Sequence, residues 1–185
     1  KAMLLTRRKF SLEEYQRLSE LGFLSEDDRV ELVDGEIITM SPVDKAHSAC
    51  VSRTSRQLIQ RLGNRAVVYV QSPVVILEDE LQPDLAVLKP NPTDYADQAA
   101  SAEDVLLIIE VANTSFAYDK NVKAPKYARA GVSELWIVDL NGERVWLHRQ
   151  PAEDGYLQIS AHQRGKPLNS LAFPELVLTV DDILG

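Results

Sequence analysis

Val105-Leu-Leu-Ile-Ile-Glu-Val111 is an apolar run broken by a single carboxylate. Continuous aliphatic residues over that length suit a strand covered on both faces, because a half-exposed strand would alternate apolar with polar. Glu110 is the anomaly. An ionised carboxylate buried without partners is costly or is driven neutral, so either the strand end reaches solvent at a sheet rim or the fold brings Glu110 a partner. Glu134-Leu-Trp-Ile-Val-Asp139 reads as a second buried strand with Trp136 in the core, and residues 119–130 between them read as a helix stopped at Gly131. Buried strands bridged by a helix point to a sheet with helices laid against it.

Working outward, Pro83 opens the strand Asp84-Leu-Ala-Val-Leu88, and a residue without an N–H donor suits a strand's first position. Residues 66–70 and 73–77 read as strands, and 78–82 as a polar turn. A long helix is expected over 44–62, closed by Gly63-Asn64, with Val51, Leu58, Ile59 and Leu62 on one apolar stripe. Ser11-Leu-Glu-Glu14 has capping-box spacing for a helix over about 12–21. Asp34-Gly35, between apolar runs at 29–33 and 36–40, marks a hairpin, since both central residues of a type I′ turn need positive φ. Alternation then puts Glu31 and Val33 on one face. Residues 89–103 read as a surface loop, Asn141-Gly142 as a second hairpin turn leading into 144–149, and the last stretch as short strands with a final helical turn at 181–184. The expected architecture is α/β (α+β): a central mixed β-sheet flanked by helices, with N-terminal and C-terminal β-hairpins. It is expected as one domain over 11–185 after a tail over 1–10, in which Lys1-Ala2 ahead of Met3 reads as a cloning remnant.

The bulk figures narrow the function classes. The chain has 185 residues and no apolar run near the roughly 20 that a membrane helix needs. The basic start lacks the apolar core of a secretory signal, so a cytoplasmic protein without membrane partners is expected. Cys50 is the one cysteine, which excludes an internal disulfide and argues against a thiolate cluster; a small buried residue is its reading. A net charge of -8 argues against indiscriminate nucleic-acid binding. Its distribution is uneven. Residues 12–36 carry nine acids against two arginines, whereas 43–65 and 119–130 are basic. Arg53, Arg56, Lys120 and Lys126 in those runs either meet a polyanion or cover a solvated helix face.

Two carboxylates on neighbouring strands, Asp84 and Glu110, can converge on one hard cation such as Mg²⁺ or Mn²⁺, which takes oxygen ligands. Lys123 lies four residues after Asp119 and four before Tyr127, so the three share a helix face. Lys123 then either pairs with Asp119 or reaches the carboxylate site to steady developing charge. Pro125 complicates that helix, because proline in a helix interior removes a hydrogen bond and clashes with the preceding turn. A helix starting near Ala124 would leave Lys123 before it, with Lys120 and Lys126 as other candidates. The histidines His148 and His162 carry no carboxylate pattern and read as surface positions, while Trp146, on the hairpin after Asn141-Gly142, reads as partly exposed and available to a dimer surface.

Four pieces in order carry a resemblance: Glu31-Leu-Val-Asp-Gly-Glu-Ile37, Pro83-Asp84-Leu-Ala-Val87, Ile109-Glu110-Val-Ala-Asn-Thr-Ser115, and the stretch from Tyr118-Asp119 through Lys123, Tyr127 and Gly131 to Glu134-Leu-Trp-Ile-Val-Asp139. From about residue 10 to about 182 the chain resembles the Uma-two family of restriction-endonuclease-like proteins, in the PD-(D/E)XK nuclease superfamily. The resemblance implies a restriction-endonuclease-like core and a divalent metal at Asp84 and Glu110. The lysine usual two residues after that acid is Ala112 here, and its counterpart on the following helix is Lys123. It further implies Glu31 as an additional acid, Tyr127 orienting Lys123, and His47 and Gln71 as supporting residues, although each of these last two also reads as an ordinary structural residue. The leading expectation is a Mg²⁺- or Mn²⁺-dependent endonuclease acting on DNA as a homodimer. A nuclease-fold binding or scaffold protein without turnover, and a phosphodiesterase for RNA or a nucleotide, are the alternatives.

Overall fold

The computed structural model describes residues 7–25 and 27–185; residues 1–6 of the expected tail and Glu26 of the acidic run lie outside the described residues. At the centre is a six-stranded sheet ordered β10-β9-β8-β7-β6-β3. Its strands are β3 (Val67–Val70), β6 (Leu85–Leu88), β7 (Val105–Ala112), β8 (Glu134–Asp139), β9 (Arg144–Ala152) and β10 (Gly155–Gln163). β7 and β8 run parallel and the other pairs antiparallel. This is the mixed sheet expected from the sequence. β7 is buried at all but one position, as its unbroken apolar run requires when both faces are covered.

One face packs under the helix α2 (Lys45–Leu62) and the C-terminal turn of helix α5 (Val180–Leu184), through Cys50, Leu58, Leu62, Leu85, Ile109, Trp136 and Ile183. The other face packs under helices α3 (Phe116–Tyr118) and α4 (Ala124–Arg129), through Ala86, Ile108, Ala124, Tyr127, Ala128 and Ile137. Beside it lies a four-stranded sheet ordered β2-β1-β5-β4, built from β1 (Val30–Val33), β2 (Glu36–Thr39), β4 (Val74–Ile76) and β5 (Asp79–Leu81). A short pair, β11 (Pro167–Asn169) with β12 (Val177–Thr179), precedes α5. Helix α1 (Leu12–Glu20) starts at the capping box of Ser11 and Glu14, and Asp34 and Gly35 take φ of 51° and 75° in the β1–β2 turn, both as read from the sequence.

The structure corrects four readings of the elements. The polar stretch 78–82 is not a turn: Leu77-Glu78 turns, with Leu77 at φ 58°, and 79–81 is strand β5. The charges hid it, because Asp79 is held inward by Lys126. Ile59 leaves the apolar stripe of α2 and is 53% exposed, while Cys50 and Thr54 join it. At 140–143 the positive φ falls on Glu143, not on Asn141-Gly142. Gly142 is there because its N–H donates to Asp139 Oδ1, and a Cβ would collide with that carboxylate. The expected continuous helix over 119–130 is two pieces, a wide five-residue π turn over Asp119–Lys123 that follows α3 and then α4.

Candidate functional site

The β6–β7 register pairs Leu85 with Ile109, so Asp84 and Glu110 stand one step further along, opposite each other. Cross-strand neighbours send side chains to the same face, and both carboxylates are buried. Asp84 Oδ2 accepts the Val111 N–H at 2.8 Å and faces His47 Nε2 at 3.1 Å, while Oδ1 accepts from the Gln71 amide at 3.1 Å. Glu110 Oε1 accepts Lys123 Nζ at 3.0 Å and the Tyr127 hydroxyl at 2.7 Å. Glu31, from β1, accepts the Gln82 N–H at 2.7 Å and pairs with the same ammonium at 2.8 Å. Glu31, Asp84, Glu110, Lys123, His47, Gln71 and Tyr127 are thus brought into one network.

The π turn delivers Lys123. An α turn here would set the Pro125 ring against the carbonyl four residues back. The wider turn, in which the Ala124 N–H reaches the Asp119 carbonyl, avoids that and puts Pro125 in the first turn of α4. Lys123 and Asp119 are both buried as a result. Lys123 therefore does not pair along the helix with Asp119. Asp119 Oδ2 accepts the Ser115 hydroxyl at 2.7 Å.

Four buried carboxylates around one ammonium set the electrostatics. Burial first, offset by Lys123 and reinforced by Asp119, Asp84 and Glu31, pushes Glu110 above the usual carboxylate range. Burial likewise pushes Asp119 up, against the pull of Lys123 and Ser115. Asp84 is held below its ordinary value: burial pushes it up, but the His47 hydrogen bond and charge, the Val111 N–H and Gln71 outweigh that. Lys123 stays protonated, since Glu110, Glu31 and Asp119 overcome its burial. The hydrogen bond to Asp84 raises His47 against its own burial.

A cavity of about 360 Å³ opens on this network, lined by Arg29, Glu31, His47, Asp84, Glu110 and Lys123, with Tyr118, Asp119 and the loop 113–115. Two buried polar atoms here have no partner among the described residues, the Tyr118 hydroxyl and His47 Nδ1. The spacing tied Asp119 only to Lys123 and did not single out Tyr118 or Arg29; the end of α3, the π turn and the base of the β1–β2 hairpin bring the three to the cavity.

The facing carboxylates offer oxygen donors, with the His47 imidazole behind Asp84 and no thiolate, which suits Mg²⁺ or Mn²⁺ rather than a thiolate-bound metal. Among the described residues no three His, Cys, Asp or Glu side chains form a ready metal cluster. Mg²⁺ is commonly held by one or two carboxylates and keeps several waters, so the facing pair Asp84 and Glu110, in a pocket with excess negative charge, fits such an ion.

The other basic residues are placed less simply. Arg53 donates to the Ile183 carbonyl at 2.8 Å and fastens α5. Lys126 pairs with Asp34 and Asp79 at 2.5 and 2.7 Å. Lys120 is exposed and lies over the Phe116 and Trp146 rings, and Arg56 is exposed on α2. His148, expected at the surface, is buried against Tyr156. No helix among the described residues is long and apolar enough to cross a membrane.

Residues 12–181 match the Uma2 family, whose description is "Putative restriction endonuclease". The fold is similar to a crystal structure titled as a putative nuclease belonging to DUF820, from Anabaena variabilis, with a TM-score of 0.74 and 16% identity over 95% of this chain and 97% of that one. At that identity the likeness shows the fold alone. No curated protein matches the chain.

Proposed function

The chain belongs to the Uma2 family, and from that premise we propose that it is a divalent-metal-dependent endonuclease that hydrolyses DNA phosphodiester bonds. The observation that carries the reading is the facing pair Asp84 and Glu110 with Lys123 ion-paired beside it. Asp84 and Glu110 would hold Mg²⁺ or Mn²⁺, with the main-chain carbonyl of Val111, a residue of the same cavity lining, as a candidate further ligand. When bound, the ion supplies Lewis-acid polarisation of a phosphoryl oxygen and offsets the charge that builds there.

The chain's own residues do the rest. The Val111 N–H, His47 and Gln71 fix the Asp84 carboxylate on both oxygens, so it does not reorganise when a ligand arrives. Tyr127 and Glu31 fix the Lys123–Glu110 pair from either side. The Lys123 ammonium is kept charged and aimed, and stabilises negative charge developing on the phosphate oxygens. Cutting both strands of a duplex calls for two such centres, which a two-fold homodimer would supply.

The test is plasmid nicking in Mg²⁺ or Mn²⁺. Wild-type protein should nick, and Asp84→Ala and Glu110→Ala should lose at least a hundredfold in rate; equal rates in all three would remove the assignment. A second reading, a binding protein of nuclease fold without turnover, is favoured by one observation: every described site carboxylate already has an internal partner. It predicts DNA binding with no nicking in any divalent ion.

A further inference from the structure

Five carboxylates line the cavity (Glu31, Asp44, Asp84, Glu110 and Asp119), a poor landing place for a phosphate. The two full cations that line it are Lys123 and Arg29. Lys123 is enclosed between Glu31 and Glu110 at 2.8 and 3.0 Å. Arg29 has no ion pair among the described residues, and its guanidinium makes one hydrogen bond, to the Ser41 carbonyl at 3.2 Å. A guanidinium carries five N–H donors in a planar fork that matches phosphate, so most of its donors remain open. Its backbone carbonyl takes the Met40 N–H, which anchors it at the base of the β1–β2 hairpin.

Arg29 precedes Glu31 by two residues, so strand alternation sends both side chains to one face. That face is the cavity, where Glu31 meets Lys123. The guanidinium thus stands one strand step outward from the acidic centre, half-buried and held by main chain rather than by an acid. Although the chain carries a net charge of -8, no carboxylate among the described residues pairs with this arginine, which lines the acidic pocket.

We infer that Arg29 is the phosphate-binding residue of this site, gripping a backbone phosphate of the nucleic acid while the acidic centre faces the bond to be cut. The inference rests on the endonuclease reading for its ligand but not on the metal. The Arg29 fork donates to non-bridging oxygens, which fixes register and carries no base information.

The test uses the full chain and a fluorescein-labelled DNA duplex, read by anisotropy in Mn²⁺ between about 50 and 200 mM salt, alongside Mn²⁺ binding by calorimetry. Arg29→Gln should lower DNA affinity at least tenfold and flatten the log-affinity against log-salt slope by about one, with Mn²⁺ affinity unchanged. Arg29→Lys, which keeps the charge and loses the fork, should fall between and also serves if Arg29→Gln does not fold. Wild-type affinity and slope in both variants, or in Arg29→Lys alone where Arg29→Gln is unfolded, would overturn the inference, as would a wild-type protein that binds no DNA. If wild-type protein binds no Mn²⁺ while Arg29→Gln still loses DNA affinity, the metal reading fails and Arg29 keeps its role.

Discussion

The Tyr118 hydroxyl is a buried polar atom left without a partner among the described residues at the cavity wall. It sits beside Glu31, Lys123, Asp119 and Glu110, and burial first, then the carboxylates, against the pull of Lys123, push its pKa up to about 12. An unsatisfied buried hydroxyl costs about 1–3 kcal/mol. Tyr118→Phe is therefore expected to raise stability by about 1 kcal/mol in urea titration while slowing nicking, if the hydroxyl serves the ligand. A drop in stability would show that the hydroxyl is satisfied in solution. His148 makes the opposite kind of case, a buried ring with no part in the site. Burial first, opposed by the hydrogen bond to Trp146 and aided by Lys120, lowers its pKa. Between about 6.5 and the lowered folded value, the unfolded chain takes up a proton that the folded chain refuses. Its stabilising contribution is thus full above about pH 6.5 and falls as pH drops, by at most about 1.4 kcal/mol per unit. His148→Phe, which keeps the packing on Tyr156, should narrow its stability difference from wild type on going from neutral pH to about pH 5.5. At this scale the sequence was informative where a polar residue broke an apolar run, as Glu110 does. It was mute on the places of Tyr118 and Arg29 at the cavity, which follow from tertiary packing rather than from any local pattern.

Elements were legible where one period ran clean. β7 and β8 announce themselves as apolar runs, and the Ser11–Glu14 box starts α1 as the spacing demands. Legibility failed where a tertiary partner overrode local character: β5 is a strand because Lys126 and Glu31 hold its ends in place, through the Asp79 carboxylate and the Gln82 N–H. The helix before β8 failed for a different reason. Pro125 signalled a conflict, but a local pattern cannot choose between a late helix start and a widened turn. The π turn chosen by the chain carries Lys123, so Pro125→Ala, which relieves the clash and permits an ordinary turn, is expected to cost nicking activity tenfold or more while shifting stability by only about 1 kcal/mol. Unaltered nicking would mean that the surrounding carboxylates, not Pro125, hold the turn open. A second element-scale device ties β8 and β9 to the C-terminal segment. Glu134 is fully buried and accepts Arg149 Nε and Nη2 at 2.9 and 2.7 Å, the Trp136 indole N–H at 3.0 Å and the Leu171 N–H at 2.8 Å. Arg149→Met would strand that carboxylate and should cost about 3–5 kcal/mol in urea titration, whereas Arg56→Met, on an exposed turn of α2, should cost under about 0.5 kcal/mol.

Across the whole molecule, charge is what separates this site from a general nucleic-acid surface. The basic run over 43–65, readable in the sequence, is largely taken up by the chain's own C-terminal segment: Arg53 by Ile183, Arg61 by Val177, and Arg65, just past α2, by Glu175. What remains is an acidic cavity in a protein of net charge -8. If a divalent ion belongs there, it binds the folded state, because the unfolded chain does not hold Asp84 and Glu110 opposite each other. Such linkage stabilises by about 2.7 kcal/mol at a hundredfold excess of ion over its dissociation constant. Mn²⁺ should accordingly raise the thermal midpoint of wild-type protein, the gain should grow as pH rises and the raised carboxyl of Glu110 loses its proton, and Asp84→Asn should remove it. The direction follows from competition: protons and the cation seek the same oxygens, so acid weakens the ion's hold. A midpoint that Mn²⁺ leaves unmoved at every pH would mean that Lys123 alone balances the cavity, and the acidic network would then be a buried structural knot rather than a metal centre.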